Sequence, residues 1–294
     1  MNFILTTQCL SKCKFCFVPD RLRAKHTEMS FADFKKYLDH INLICAENRP
    51  AIGILGGEPT LAKDFPIMAG YLKSYKGIVR VYSNLITDTK KLEYLIGAKN
   101  IVLVWNAGAY LIANKKNQSL ILKNLKLIKK HFKNNIVASI TLYVDFRIND
   151  FYKTIKILKK HKIKKIRIAL DSTNHKAFIN KGNEVFEFCK YLTDNNFELI
   201  SSYCGHFLKR MFNSEQNKYL KQNMINFNYN DCSKNFPVDI FPDGSVVPCM
   251  GFSNKTGLIK FTDYKSLKKL KTDIIGKFKL NKMKSDSCPA KNDK

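Results

Sequence analysis

The sequence has no run of about 18 uncharged apolar residues, which excludes a membrane-spanning helix of ordinary hydropathy, and no membrane association is expected. It also lacks a basic leader followed by an apolar stretch. The chain opens Met-Asn-Phe-Ile-Leu-Thr-Thr and is polar by Thr6, so a secretory signal is not expected and a cytoplasmic location is. An evenly spaced cysteine framework is missing as well. Most of the nine cysteines fall in two clusters, which in a reduced compartment favours metal or redox use over disulfides. Acidic residues are scarce: 24 Asp and Glu stand against 51 Lys and Arg, for a net charge of +27. That balance would suit nucleic acid or another polyanion. Lys is abundant together with Asn, Ile, Tyr and Phe, and the lysines are scattered over helix faces, so compositional bias is the favoured reading and nucleic acid is not the favoured partner.

What is present is enough chain, 294 residues at 45% hydrophobic, to bury one large core with a small appendage. Short β-branched runs alternate with helical patterns up to about residue 200. Strands are expected over Asn2 to Thr7, Ala51 to Leu55, Ile78 to Ser83, Asn100 to Trp105, Asn135 to Val144 and Lys164 to Leu170. Helices are expected over Ser30 to Asn48, Ala62 to Lys76, Asp88 to Gly97, Ser119 to Lys133, Asn149 to Lys162 and Gly182 to Asn195. In the first helix Ser30 is placed to cap, and Phe31, Phe34, Leu38, Ile41 and Cys45 recur on one face, which predicts Cys45 in the core. Cys189, near Val185, Phe186 and Phe188, reads as a buried thiol. Six βα units predict a parallel sheet with its functional face at the carboxyl ends of the strands. Beyond residue 200 the rhythm is expected to stop, and Pro242-Asp243-Gly244 between two short apolar runs predicts a hairpin in a small second module, residues 201–294.

Cys9, Cys13 and Cys16 form C-x3-C-x2-C immediately after the first strand. Three thiolates on one loop can hold three irons of a cubane and leave the fourth open to a ligand. A zinc site would need a fourth donor, for which His26 is available.

The segment Cys9-Leu10-Ser11-Lys12-Cys13-Lys14-Phe15-Cys16, with its aromatic before the last cysteine, resembles the radical S-adenosylmethionine (SAM) signature. The six βα units resemble that superfamily's partial barrel, a (βα)6 TIM-type fold, over residues 1–200. Gly56-Gly57-Glu58-Pro59, at the end of the second strand, resembles the family's GGE motif. The resemblance implies a [4Fe-4S] cluster on the three cysteines. It places Phe15, Gly56, Gly57 and Glu58 at SAM, with the motif near the methionine amino group. Ser83 and Asn84 after the third strand, Asn106 after the fourth, and Thr141 and Arg167 on the fifth and sixth are further SAM-contact candidates. Polar residues at strand ends also serve simply as caps and loop ties.

Cys232, Cys249 and Cys288 remain, with Cys204 as a candidate fourth. C-x11-G-x4-C from Cys232 to Cys249 resembles the opening of the SPASM and twitch extensions, which hold auxiliary [4Fe-4S] clusters, and leaves room for one such cluster. The usual C-x2-C pair is absent, since Lys291 stands three residues after Cys288. The site is therefore closed by Cys204 or keeps an open iron, and a zinc site or unliganded thiols are the alternatives.

The family likeness implies reductive cleavage of SAM and hydrogen abstraction from a substrate, with a flavodoxin- or ferredoxin-like electron donor. A peptide or protein is the favoured substrate. No segment for grasping a leader peptide precedes the signature strand, which counts against the commonest peptide-maturase layout. A small-molecule dehydrogenase and a non-catalytic Fe-S or zinc-binding interaction protein are the alternatives.

Overall fold

Runs of β-branched residues bounded by turn formers make the strands, and amphipathic stretches between them make the helices that cover the sheet. The computed structural model describes residues 1–16, 18, 20–45, 49–143, 145–171, 178, 180–201, 211–225, 238–247, 259–261, 265–266 and 268–273. In chain order these form β1 (Asn2–Ile4), α1 (Asp20–Lys25), α2 (Phe31–Ile44), β2 (Ile52–Leu55), α3 (Phe65–Lys73), β3 (Val79–Ser83) and α4 (Thr89–Glu93). They continue with β4 (Ile101–Asn106), α5 (Ala109–Ile112), α6 (Lys115–Phe132), β5 (Ile136–Leu142), α7 (Ile148–Lys160), β6 (Lys165–Leu170), α8 (Gly182–Asp194) and β7 (Glu198–Ser201). The remainder are α9 (Ser214–Asn223), β8 (Met224–Ile225), β9 (Asp239–Ile240), β10 (Ser245–Val247) and β11 (Ile259–Lys260).

The strands form one sheet in the order β11-β10-β9-β1-β2-β3-β4-β5-β6-β7-β8, parallel from β9 through β1 to β8. This is an α/β fold with a curled half-barrel sheet. All six expected strands are present; five are shortened at their ends, and β4 begins one residue later and ends one residue later than expected, with Asn106 as its last residue. The helices differ more. Ser30 caps α2 by accepting from the Asp33 N–H, as expected, yet the helix stops at Ile44 and Cys45 is its half-buried C-cap, not a core residue. Cys189 is buried as expected, and burial pushes its thiol up to about 12. α6 starts at Lys115 because Asn114 caps it, accepting from Asn117 N–H at 2.9 Å.

The βα rhythm does not stop at residue 200. β7 pairs parallel with β6, α9 follows with a capping box from Asn213 and Gln216, and β8 pairs parallel with β7. The expected hairpin is present as the antiparallel pair β9–β10, with Gly244 at φ +75° in its turn. β9 also pairs parallel with β1, so the described part of the hairpin extends the barrel sheet. The cysteines assigned to the second module, Cys204, Cys232, Cys249 and Cys288, lie outside the described residues.

Alternation along the strands sorts residues to two faces. Val79, Val81, Ile101, Leu103, Trp105, Ile136, Ala138, Ile140, Ile166 and Ile168 join Phe34, Leu38, Phe65, Leu125 and Phe151 of the helices in one core. Each fully buried aliphatic or Phe side chain there contributes about 1.5–3 kcal/mol. The opposite, inner face carries Tyr82, Asn106, Ser139, Thr141 and Arg167, together with a small apolar cluster of Ile4, Leu55, Phe241 and Val247. Among the described residues no helix is long and apolar enough to cross a membrane.

Candidate functional site

The chain beyond β1 runs alongside the chain beyond β2. Leu5 N–H donates to Leu55 O at 2.8 Å, Gly57 N–H to Thr6 O at 2.7 Å and Glu58 N–H to Gln8 O at 2.7 Å. This ladder seats Gly56-Gly57-Glu58 directly against the start of the cysteine loop. The glycines are required by that seat: a Cβ on Gly56 would lie 2.6 Å from the Thr6 carbonyl oxygen. On Gly57 it would overlap the Gln8 carbonyl and stand 2.9 Å from Cys9 Cβ. Gly57→Ala is therefore expected to displace the Gln8–Cys9 backbone and cost about 1–3 kcal/mol by overpacking. Its iron content after anaerobic loading should fall well below wild type while far-ultraviolet circular dichroism is retained. Wild-type iron loading would show that the loop tolerates the shift.

Glu58 is fully buried beneath this loop. Its Oε1 accepts from Thr60 Oγ1 at 2.8 Å, Ser83 Oγ at 3.0 Å and Thr60 N–H at 3.3 Å. Its Oε2 accepts from Asn84 N–H at 2.8 Å and Ser83 Oγ at 3.1 Å. Burial raises the Glu58 pKa, and these bonds oppose the rise. The carboxylate thus ties the end of β2 to the end of β3. Asn84 carries the tie to the cysteines: its Nδ2 donates to Cys9 Sγ at 3.4 Å, while its Oδ1 accepts from Ile86 N–H at 2.7 Å.

Cys9, Cys13 and Cys16 are all half-buried. Cys9 Sγ also accepts from Ser11 N–H at 3.3 Å, and the Cys16 thiol donates to Val18 O at 3.7 Å. Burial pushes the Cys9 thiol up to about 11 and Cys13 to about 12, with the neighbouring cysteines adding to both shifts. Phe15 crosses to the other side of the barrel mouth. It stacks on Tyr143 at 6.4 Å between centroids, and its Cζ would stand 3.2 Å from a Cβ on Gly108. Asn106, two residues before Gly108, has a buried Oδ1 without a hydrogen-bond partner among the described residues. In register with it come Ser139 and Arg167. Arg167 Nη1 donates to Ser139 Oγ at 3.0 Å, and its guanidinium lies 5.8 Å over the Tyr82 ring. Thr141 is half-buried two residues further along β5.

These positions make one mouth at the carboxyl ends of β1 to β6, with Cys9, Phe15, Gly57, Asn84 and Asn106 around it and Arg167 on its inner wall. Glu58 and Ser83 support it from beneath. The donor set fits an iron-sulfur cluster. Soft thiolates are supplied on one loop, Cys9 Sγ already receives two N–H donors, and the Ser11 hydroxyl is buried beside it with no partner among the described residues. A single zinc ion fits less well. His26 is exposed at φ +46°, and among the described residues no three His, Cys, Asp or Glu side chains converge on one point. A cubane needs no such convergence, because each thiolate binds a different iron.

Asn124 was not signalled as functional by the sequence, yet it shapes the site. It is fully buried on α6, donating to Leu85 O at 3.0 Å and Thr87 O at 2.8 Å and accepting from Thr89 Oγ1 at 2.8 Å. That clamp holds the turn after Asn84, where Leu85 has φ +62°, a costly conformation for a non-glycine residue. The available signal was an Asn on the apolar stripe of Ile121, Leu125 and Ile128.

Residues 3–158 match the family model described as the radical SAM superfamily. No curated protein sequence matches the chain. Among solved structures, Streptococcus suis SuiB bound to precursor peptide SuiA aligns with a TM-score of 0.68 at 16% identity, covering 92% of this chain and 63% of that one. SuiB bound to S-adenosylmethionine aligns with a TM-score of 0.66 at 17% identity, covering 94% of this chain and 64% of that one. Hexahistidine-tagged anSMEcpe with bound AdoMet gives 0.62 at 16% identity, covering 98% and 87%. At these identities the likeness is one of fold, and the chain spans less than two thirds of SuiB.

Proposed function

The chain belongs to the radical SAM superfamily, and from that premise we propose that it cleaves SAM at a [4Fe-4S] cluster on Cys9, Cys13 and Cys16 and abstracts hydrogen from a peptide or protein. The observation that carries this reading is the cysteine loop itself, seated on Gly57 and bonded at Cys9 Sγ by the Asn84 amide and the Ser11 N–H. When bound, the cluster supplies the electron that splits a sulfur–carbon bond of SAM into methionine and a 5′-deoxyadenosyl radical. The chain's own residues orient and enclose. Gly56 and Gly57 keep the floor beneath the cysteines free of side chains, while Glu58 and Ser83 hold Asn84 in place.

Asn106, with its unpartnered buried oxygen, and Arg167, with guanidinium N–H groups beyond the one given to Ser139, offer a polar surface for the ribose and carboxylate of SAM. Thr141 extends that surface towards the strand end. Phe15 on Tyr143 closes the mouth against water on the β4–β5 side. Support for a peptide substrate comes from SuiB, a protein of this fold whose structure holds its precursor peptide SuiA. Residues 201–294 are proposed to add one auxiliary [4Fe-4S] cluster on Cys232, Cys249 and Cys288, closed by Cys204. A flavodoxin- or ferredoxin-like protein is the proposed electron donor.

Anaerobic reconstitution tests the reading. The loaded protein with SAM and dithionite should release 5′-deoxyadenosine and hold about eight irons per chain, four for each cluster. No 5′-deoxyadenosine from a protein that binds iron and SAM would overturn the catalytic reading. About four irons would leave the first cluster alone and refute the auxiliary one.

A further inference from the structure

Strand alternation puts two arginines on the concave face of the sheet, below the mouth. Along β3, Val79 and Val81 enter the helix-covered core, so Arg80 and Tyr82 point the other way, about 7 Å apart along the strand. Arg167 joins them from β6, although β4 and β5 lie between: its guanidinium stands 5.8 Å over the Tyr82 ring. Tyr82 comes two residues before Asn84, whose amide bonds Cys9 Sγ, so this Arg-Tyr-Arg set sits one step deeper than the cysteine loop. All three side chains are half-buried. Arg167 gives one N–H to Ser139 Oγ at 3.0 Å, and neither arginine meets a carboxylate among the described residues. The carboxylates of the same face are placed elsewhere. Asp239 is fully buried and accepts from Asn2 Nδ2, while Glu198 is exposed on β7 beside Lys165. Composition does not account for the pair: the bias runs to Lys, and only seven of the 51 basic residues are arginine. Leu55, Val104 and Val137 make the wall around them apolar. A guanidinium half-removed from water on such a wall loses hydration that an anion would restore.

Resting on the radical SAM reading, we infer that Arg80 and Arg167, with the Tyr82 ring between them, form a carboxylate subsite, and that the peptide substrate seats an Asp or Glu side chain there. A guanidinium fork matches a carboxylate with two parallel N–H donors, and stacking on an aromatic face leaves the donors at its edge free. With five N–H groups and one given to Ser139, Arg167 can serve SAM above and the substrate below. The subsite lies beneath the mouth where the 5′-deoxyadenosyl radical would form. An acidic side chain seated in it therefore holds the neighbouring C–H bonds of the peptide towards that mouth. Selectivity follows from a penalty as well as a gain, because Gln in place of Glu leaves both guanidiniums without a counter-charge.

Two synthetic peptides capped at both ends serve as probes, one with Glu-Glu at the centre of an Ala-Ser sequence and one with Gln-Gln there. They are titrated into anaerobically reconstituted protein with SAM, at about 0.3 M salt to screen the surface lysines. The Glu peptide should bind about 10-fold more tightly than the Gln peptide. Arg80→Gln should bring that ratio to about twofold or less, and Arg80→Lys, which keeps the charge and loses the fork, should fall between. Lys123→Gln with Lys126→Gln, on the exposed face of α6, should keep the wild-type ratio. Equal binding of the two peptides by wild type would overturn the inference. So would an unchanged ratio in Arg80→Gln, or in Arg80→Lys where the Gln variant does not fold. A fall in the α6 double variant as large as in Arg80→Gln would overturn it too, by assigning the preference to general positive charge. Tighter binding of a phosphoserine peptide than of the Glu peptide would refute the carboxylate assignment. Release of 5′-deoxyadenosine by the wild type with dithionite judges the radical reading separately: its absence sinks that reading, while the peptide titration still decides the subsite.

Discussion

Replacing Cys13 with Ala is expected to abolish 5′-deoxyadenosine formation and remove about four irons per chain, leaving the fold intact. Cys13 lies between exposed Lys12 and Lys14 and is itself half-buried, so losing one sulfur opens no large cavity. The apoprotein's urea midpoint should hardly move. The loaded protein should lose more, because a group bound only by the folded chain stabilises it by linkage. Cys9→Ala and Cys16→Ala should behave alike, since in the proposed cluster each thiolate would serve a different iron and none could replace another. Cys9→Ala also leaves the Asn84 amide and the Ser11 N–H without their sulfur. Iron analysis with electron paramagnetic resonance on the triple variant separates the two proposed clusters. Signal from a second cluster should persist, and its complete loss from a folded triple variant would refute the two-cluster arrangement.

Replacing Glu58 with Ala is expected to be the most destabilising single change in the site, by about 3–5 kcal/mol. It strands Thr60, Ser83 and the Asn84 N–H in a fully buried space. The effect should reach the cysteines, because Asn84 bonds Cys9 Sγ and is positioned by Glu58. Iron loading and SAM affinity should therefore fall together. Glu58→Gln is the sharper test. Its carbonyl can accept from Thr60 and Ser83, but its NH2 would face the Asn84 N–H, donor against donor, at a cost of about 1–3 kcal/mol. A Gln variant as stable as wild type would show that the Asn84 contact is dispensable.

The same residue gives a pH dependence with a definite sign. Burial raises the Glu58 pKa in the folded chain, so between the unfolded carboxyl pKa and that raised value the folded state holds the extra proton. Its contribution to stability is full below the unfolded pKa and is lost as pH rises through the folded one. Denaturant midpoints of the apoprotein measured from pH 4 upward should show this component, and the Gln variant, which cannot titrate, should lack it.

Much of the site was legible because its signals are covalent and local. The spacing of Cys9, Cys13 and Cys16 fixes three thiols on one loop whatever surrounds them, and the strand before it places that loop at the mouth. Strand positions were legible for the same reason, since alternation and β-branching act over a few residues. The assignments of Cys45 to the core and of a stop near residue 200 failed where tertiary context overruled pattern. α2 ends before Cys45 can turn inward, and β7 and β8 become strands of the repeat by pairing in register, β7 with β6 and β8 with β7.

By itself, then, the sequence determined the chemistry: which donors are offered, on which loop, and at which end of a parallel sheet. Only the tertiary structure decided what holds them there. Gly57 is a glycine because the Gln8 carbonyl and Cys9 leave no room for a Cβ. Glu58 meets Ser83 and Asn84 from 25 and 26 residues away, and Asn124 reaches Leu85 across 39. Such contacts leave no periodic trace, because they depend on strand register and on how a helix lies against the sheet, neither of which is set by neighbouring residues. The outward face of the cysteine loop belongs to the same class: only the packed structure shows Leu10 uncovered while Ser11 beside it is buried.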